Sequence, residues 1–332
     1  MLEDYKSLFN EVEFKDAVRT KKVCLFLGSG VGFNLGMPDW KGLAKEIVLF
    51  CLKQKIITRS EKLNLFSMDN PLKIISICTD RIEERHVEDK FNELLTKLFY
   101  KIPRKEYRKN KIYFNLNKLY KEKAVLILQT NYDVMIEKYQ SKKEGENRSF
   151  YVPYIDKEIL SKNKISDSIV YLHGRFSGDS NELKKSSYKD LVLNKRQYNR
   201  VYVLENTDEF KKQKDFMNYL LKEFYIIFLG YSLSDAEILQ MIANKPETEN
   251  YIRIRVIVDN CESKQLENEF NSNYLRIASN EKIKTYVYDT EISGIEKGFE
   301  KVIENLTDKI LDKSDKDSFI IKYTNPKEVD FG

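Results

Sequence analysis

Residues 23 to 40, VCLFLGSGVGFNLGMPDW, constrain the fold more than any other stretch. Val23 to Leu27 are apolar without alternation, as in a strand covered on both faces. Gly28, Gly30, Gly32 and Gly36 follow at close intervals, and then a helix begins. Glycines there allow positive φ and bring backbone N–H groups close to a bound phosphate, while the following helix N-terminus adds partial positive charge. The spacing is G-x-G-x-G-x-x-x-G, with Phe33 where the common dinucleotide fingerprint has its third glycine. By itself the stretch reads equally as a phosphate cradle or as a tight structural turn.

The pattern of buried strand, polar turn and helix recurs. Ala124 to Leu128 ends in Gln129-Thr130-Asn131-Tyr132-Asp133, and Ser168 to Leu172 ends in His173-Gly174. Tyr225 to Leu229 runs into Gly230-Tyr231-Ser232-Leu233-Ser234-Asp235, Arg253 to Val258 ends at Asp259, and Lys282 to Tyr288 ends at Asp289. This repetition predicts an α/β fold, a doubly wound parallel Rossmann-like sheet with its ligand along the carboxyl edge of the strands. A leading helix is expected over 4–21, and another from an Asp39 cap to about Lys55. Residues 60 to 120 read as helical throughout, with breaks at Asn70-Pro71 and Pro103. That is too much helix for one crossover, so a helical insertion is expected to serve as a small domain over the nucleotide loop. The expected division is one domain over 1–311, with the insertion at about 60–120, and a charged tail over 312–332.

Composition narrows the class. The 332 residues include 42% hydrophobic ones, enough for a sizeable core. No apolar run approaches the roughly 20 residues of a membrane span, and the first residues lack a signal-peptide core, so a cytoplasmic, membrane-free protein is expected. Lys+Arg 57 against Asp+Glu 52 leaves +5, spread along the chain, and no aromatic-basic motif of the single-strand binders occurs. Direct nucleic-acid binding is therefore not expected. Cys24, Cys51, Cys78 and Cys261 form no C-x-x-C pair, so neither a zinc ribbon nor any other metal site is anticipated.

The ordered set G28-S-G-V-G, G36-M-P-D-W40, T130-N-Y-D133, H173-G174 and G230-Y-S-L-S-D235 resembles the bacterial sirtuin-like domains, in particular the branch found in anti-phage defence. The resemblance spans roughly residues 20 to 290. It implies that NAD+ binds as substrate, with its diphosphate at Gly28, Gly30 and Gly32. It places the nicotinamide ribose beside Asn131, Asp133 and His173, and the adenosine side near Gly230 and Ser232. Ser29, Asp39, Trp40, Thr130 and Asp259 are further cofactor-binding candidates. The four-cysteine zinc ribbon of the deacylating sirtuins is missing, and the small domain reads as helical. The resemblance therefore favours an NAD+ glycohydrolase, an effector that depletes NAD+, over an NAD-dependent protein deacylase or a non-catalytic NAD- or ADP-ribose-binding subunit. Such an effector implies restraint by a homo-oligomer or by a protein partner encoded nearby, such as an ATPase, nuclease or Argonaute-like protein.

The chemistry asked of these residues is modest. Nicotinamide leaves a cationic ring as a neutral group, so the protein must hold the ribose, stabilise positive charge at C1′ and place a water. Asn131 can orient a hydroxyl or water, Asp133 can bond the ribose or carboxamide, and His173 can accept a proton. Structural uses compete: Asn131 and Asp133 suit a helix start, Ser232 and Asp235 suit a cap, His173 can be a satisfied structural residue, and Trp40 can be core.

Overall fold

The computed structural model describes residues 3–33, 35–100, 109–138, 149–151, 165, 168–177, 187–231, 236–243, 254–259, 283–289 and 294–312. Eight parallel strands form one sheet among them: β1 (Glu3–Asp4), β2 (Val23–Leu27), β3 (Leu126–Gln129), β4 (Ser149–Tyr151), β5 (Ile169–Tyr171), β6 (Tyr225–Leu229), β7 (Ile254–Asp259) and β8 (Ile283–Tyr288). Their spatial order is β1-β8-β7-β6-β2-β3-β5-β4. β2 lies between β3 and β6, with Leu27 in register with Gln129 on one side and Leu229 on the other.

All five residues of β2 and all five of β6 are buried, which explains their unbroken apolar sequences. Alternate side chains serve two cores. On one face Val23, Leu25 and Leu27 meet α1 (Val12–Arg19), α7 (Lys111–Lys121), α8 (Met135–Lys138) and α12 (Gly294–Leu311). On the other, Cys24 and Phe26 meet α9 (Lys195–Tyr202), α10 (Asp208–Glu223) and α11 (Ala236–Ala243).

A third core holds the helical layer together. It joins α3 (Trp40–Lys53), α4 (Arg59–Phe66), α5 (Pro71–Glu84) and α6 (Glu88–Phe99) through Ile47, Cys51, Leu65, Ile75, Cys78, Ile82, Phe91 and Leu95. Their starts follow local chemistry: Asp39, Thr58 and Asn70 cap α3, α4 and α5, with a full capping box at Thr58–Glu61 and Pro71 in the first turn of α5. α7, within the 60–120 stretch expected to form the helical insertion, packs on the sheet rather than in this layer, because Ile112, Tyr113, Leu116 and Leu119 face the first core.

The expected helix over 4–21 is instead β1, a 3-10 turn over Tyr5–Asn10 and then α1. Asp4 accepts from the Lys6 N–H and ends the strand, and Glu11 is extended, so the chain changes direction twice. β1 and β4 are the two edge strands that periodicity does not reveal. The expected tail beyond 312 and most of the polar connection over 151–164 lie outside the described residues.

Candidate active site at the strand ends

In a parallel sheet the strand ends that carry polar turns share one edge. Across it stand, in spatial order, Asp259 at the end of β7, Gly230 after β6, Gly28 after β2, Thr130 after β3 and His173 just past β5.

The glycines lock the two central turns together. The Gly28 N–H donates to the Leu229 carbonyl at 3.0 Å, and the Gly30 N–H donates to the Gly230 carbonyl at 2.9 Å. A Cβ on Gly28 would lie 2.4 Å from the Gly230 oxygen. Gly230 has φ +58°, and a Cβ there would meet the Val31 nitrogen at 2.9 Å. The sequence left these glycines open between a phosphate cradle and a tight structural turn; at Gly28 and Gly30 the N–H groups bond the β6 turn. Gly32 makes room for Met37, whose sulfur would stand 2.8 Å from an added Cβ. Ser29 and Gly30 are exposed at the tip of the turn, where the short α2 (Gly30–Phe33) begins. Asp39 caps α3 by accepting from the Gly42 N–H at 2.6 Å, and half-buried Trp40 packs on the helical core.

The β3 turn is pinned to the glycine turn. Thr130 N–H donates to the Leu27 carbonyl at 3.1 Å, and the Asn131 side-chain amide donates to the Gly28 carbonyl at 2.9 Å. Both residues keep a partly exposed surface. Asp133 is 1% exposed, and its Oδ1 accepts from the Met135 N–H at 3.0 Å, so it caps the start of α8. Burial pushes its carboxyl up to about 6, against the opposing effect of that N–H bond.

His173 follows β5, and its carbonyl accepts from the Val192 N–H at 2.7 Å. Its ring meets Tyr202 edge to face, with centroids 5.8 Å apart. The residue as a whole is partly exposed but its Nε2 is buried, and burial lowers its pKa to about 4, so the imidazole is neutral near pH 7. Gly174, at φ +96°, lets the chain pass the Asp190 carbonyl, which an added Cβ would meet at 2.5 Å.

Several residues here carried no signal in the sequence. Glu137 accepts from the Tyr171 hydroxyl and receives Arg175 through both oxygens at 3.3 Å, joining α8 to the turn after β5. Tyr100, directly after α6, accepts from the Val134 N–H at 3.2 Å and donates to the Phe176 carbonyl at 2.5 Å. Tyr132 turns into the helical layer, with its ring 5.6 Å from Phe99 and its hydroxyl donating to the Val192 carbonyl at 2.9 Å. The helical layer thereby grips both polar turns. Ser232 lies outside the described residues; Asp259 is placed by its backbone at the end of β7, and its side chain lies outside them.

The edge thus gathers a glycine turn, amide, hydroxyl and imidazole groups suited to a ribose and its hydroxyls. Residues 125–278 match the model of the SIR2-like domain family. That match supports the sirtuin-like reading. SIR2-like domains bind NAD+ and are often NAD-dependent enzymes, and the match suggests an NAD-related activity in general terms. The matched span begins at Val125, just before β3 and after the glycine turn. β2 is nonetheless paired on both sides with strands of the span, β3 and β6, so the glycine turn belongs to the same sheet edge. Among curated proteins none matches the chain. Among the described residues no cluster of His, Cys, Asp or Glu is arranged to hold a metal ion, and no helix is long and apolar enough to cross a membrane.

Proposed function

We propose that the chain is an NAD+ glycohydrolase, releasing nicotinamide and ADP-ribose, and that it acts as the effector of a bacterial anti-phage defence system by depleting cytoplasmic NAD+. The observation that carries this reading is the meeting of the glycine turn with Asn131 and His173 on one sheet edge, within and beside the span that matches the SIR2-like family. The strand order adds support. The chain leaves β2 toward β3 and leaves β6 toward β7, on opposite sides, and in this reading the β2–β6 boundary is the switch point of a doubly wound sheet, where ligands bind.

In this proposal Ser29, Gly30, Gly32 and Thr130 border the diphosphate, and Gly230, Ser232 and Asp259 border the adenosine side. Asp39 and Trp40 start the helix that overhangs the turn. Asn131 orients the ribose or the attacking water, and neutral His173 accepts a proton from one of them. Asp133 acts from beneath, as the cap that presents Asn131. Nicotinamide needs no proton to leave, so the work asked of the site is positioning and stabilisation of the cationic ribose.

The proposed domain division is a sirtuin-like unit over 1–311 with a helical insertion at about 60–120 and a tail over 312–332. A lethal hydrolase needs restraint, which we assign to a homo-oligomer or to a partner encoded nearby, an ATPase, nuclease or Argonaute-like protein. Light scattering of the isolated chain over a range of concentrations tests the first of these.

Incubation of purified protein with NAD+, with and without an acetyl-lysine peptide, tests the reaction. ADP-ribose and nicotinamide without peptide are expected. Peptide-dependent acetyl-ADP-ribose would identify a deacylase, and binding of NAD+ without turnover would identify a scaffold subunit.

A further inference from the structure

Backbone bonds join the turns after β3 and β5 at two points, Leu172 N–H to the Gln129 carbonyl at 2.9 Å and Phe176 N–H to the Tyr132 carbonyl at 2.7 Å. His173, Gly174 and Arg175 span the interval between them. Gly174 adopts positive φ, so this short bridge has no regular secondary structure to hold its shape.

Glu137 closes the interval from the α8 side. Its side chain is 10% exposed, and both oxygens are occupied, one by the Tyr171 hydroxyl and Arg175 Nε, the other by Arg175 Nη2. A carboxylate in such a place is costly unless its geometry is good and its lone pairs are filled. The planar guanidinium fork supplies this, and a lysine would not. The pair connects the element begun by the Asp133 cap to the residue two beyond His173.

We infer that the Glu137–Arg175 ion pair is a positioning device that fixes His173 relative to Asn131, and that it is needed for turnover and not merely for stability. The inference rests on the glycohydrolase reading for its activity arm only. Neither residue is placed against the substrate; both act through the turns they connect. Misplacement of a reacting group by about 1 Å costs about 100-fold in rate.

The test uses the full chain with Arg175→Lys, which keeps the charge and loses the fork, and Glu137→Gln, which keeps the shape and loses the charge. For each, kcat and KM for NAD+ are measured separately, together with amide hydrogen exchange over 173–176 and in β3 and β5. The expected result is a kcat lower by about 100-fold with KM changed less than about 3-fold. Exchange over 173–176 should be at least about 10-fold faster, with the strands unchanged. Unchanged kcat in folded variants, or a loss that merely follows the unfolded fraction, overturns the inference. If wild-type protein releases no nicotinamide, the glycohydrolase reading fails and hydrogen exchange alone decides: equal protection over 173–176 overturns the inference, and selective loss supports it. Should either variant fail to fold, Tyr171→Phe removes only the hydroxyl donor to Glu137 and is read by the same two measurements.

Discussion

The side-chain amide of Asn131 donates to the backbone carbonyl of Gly28 at 2.9 Å, joining turns 103 residues apart in the chain. Through this bond the residue proposed to orient the ribose is held by the loop proposed to border the diphosphate. Positioning of the substrate and integrity of the glycine turn are therefore linked at one contact.

The interlock of the two central turns gives a contrast between glycines. Gly36 and Gly230 both have positive φ, but an added Cβ meets nothing within 4 Å at Gly36 and the Val31 nitrogen at 2.9 Å at Gly230. Gly36→Ala should cost about 1 kcal/mol, the strain of the left-handed backbone alone. Gly230→Ala should cost about 3 kcal/mol, because backbone must also shift. Urea denaturation of the two variants measures the difference.

Tyr100 offers a test of the helical layer's grip. Tyr100→Phe keeps the ring but leaves the Val134 N–H and the Phe176 carbonyl without that hydroxyl. A loss of about 2 kcal/mol or more is expected by denaturation, since each unsatisfied buried group costs about 1–3 kcal/mol. A change under about 0.5 kcal/mol would mean that the turns do not depend on the layer.

His173 and Asp133 should change stability with pH in opposite senses. Burial lowers His173 from 6.5 to about 4, so between those values the unfolded chain binds a proton that the fold does not, and stability falls as pH falls. Burial raises Asp133 from 3.8 to about 6, so over nearly the same window the fold binds a proton that the unfolded chain does not, and stability rises as pH falls. Each shift corresponds to about 3 kcal/mol, and the two slopes largely offset in the wild type. Relative to wild type, His173→Gln should gain stability from about pH 6.5 down to 4.5, and Asp133→Asn should lose it. Denaturation curves across that range check both signs, and parallel pH profiles for all three proteins would contradict them.

The sheet's centre was legible because β2 and β6 are buried on both faces, leaving unbroken apolar runs such as VCLFL and YIIFL. The edges were not. β1 is two exposed acidic residues and β4 three residues, too short for any periodicity to show. The glycine turn was legible as a turn, but the reason for Gly28 and Gly30 lies in Gly230, some 200 residues away, which no local spacing reveals. Glu137 and Arg175 carry no local signal because their 38-residue separation hides a pairing made only when β3 and β5 align. α7 carries the same helical stripe as its neighbours, and only the packed structure assigns it to the sheet rather than to the helical layer.

Release of nicotinamide from NAD+ by the purified wild-type chain, compared with Asn131→Ala and His173→Ala, addresses the proposed activity most directly. Circular dichroism and a denaturation midpoint establish that each variant is folded. The expected outcome is ADP-ribose and nicotinamide in equal amounts from the wild type, with rates lower by about 100-fold or more in both folded variants. Full turnover by either folded variant, or no nicotinamide release by the folded wild-type chain, would contradict the glycohydrolase mechanism.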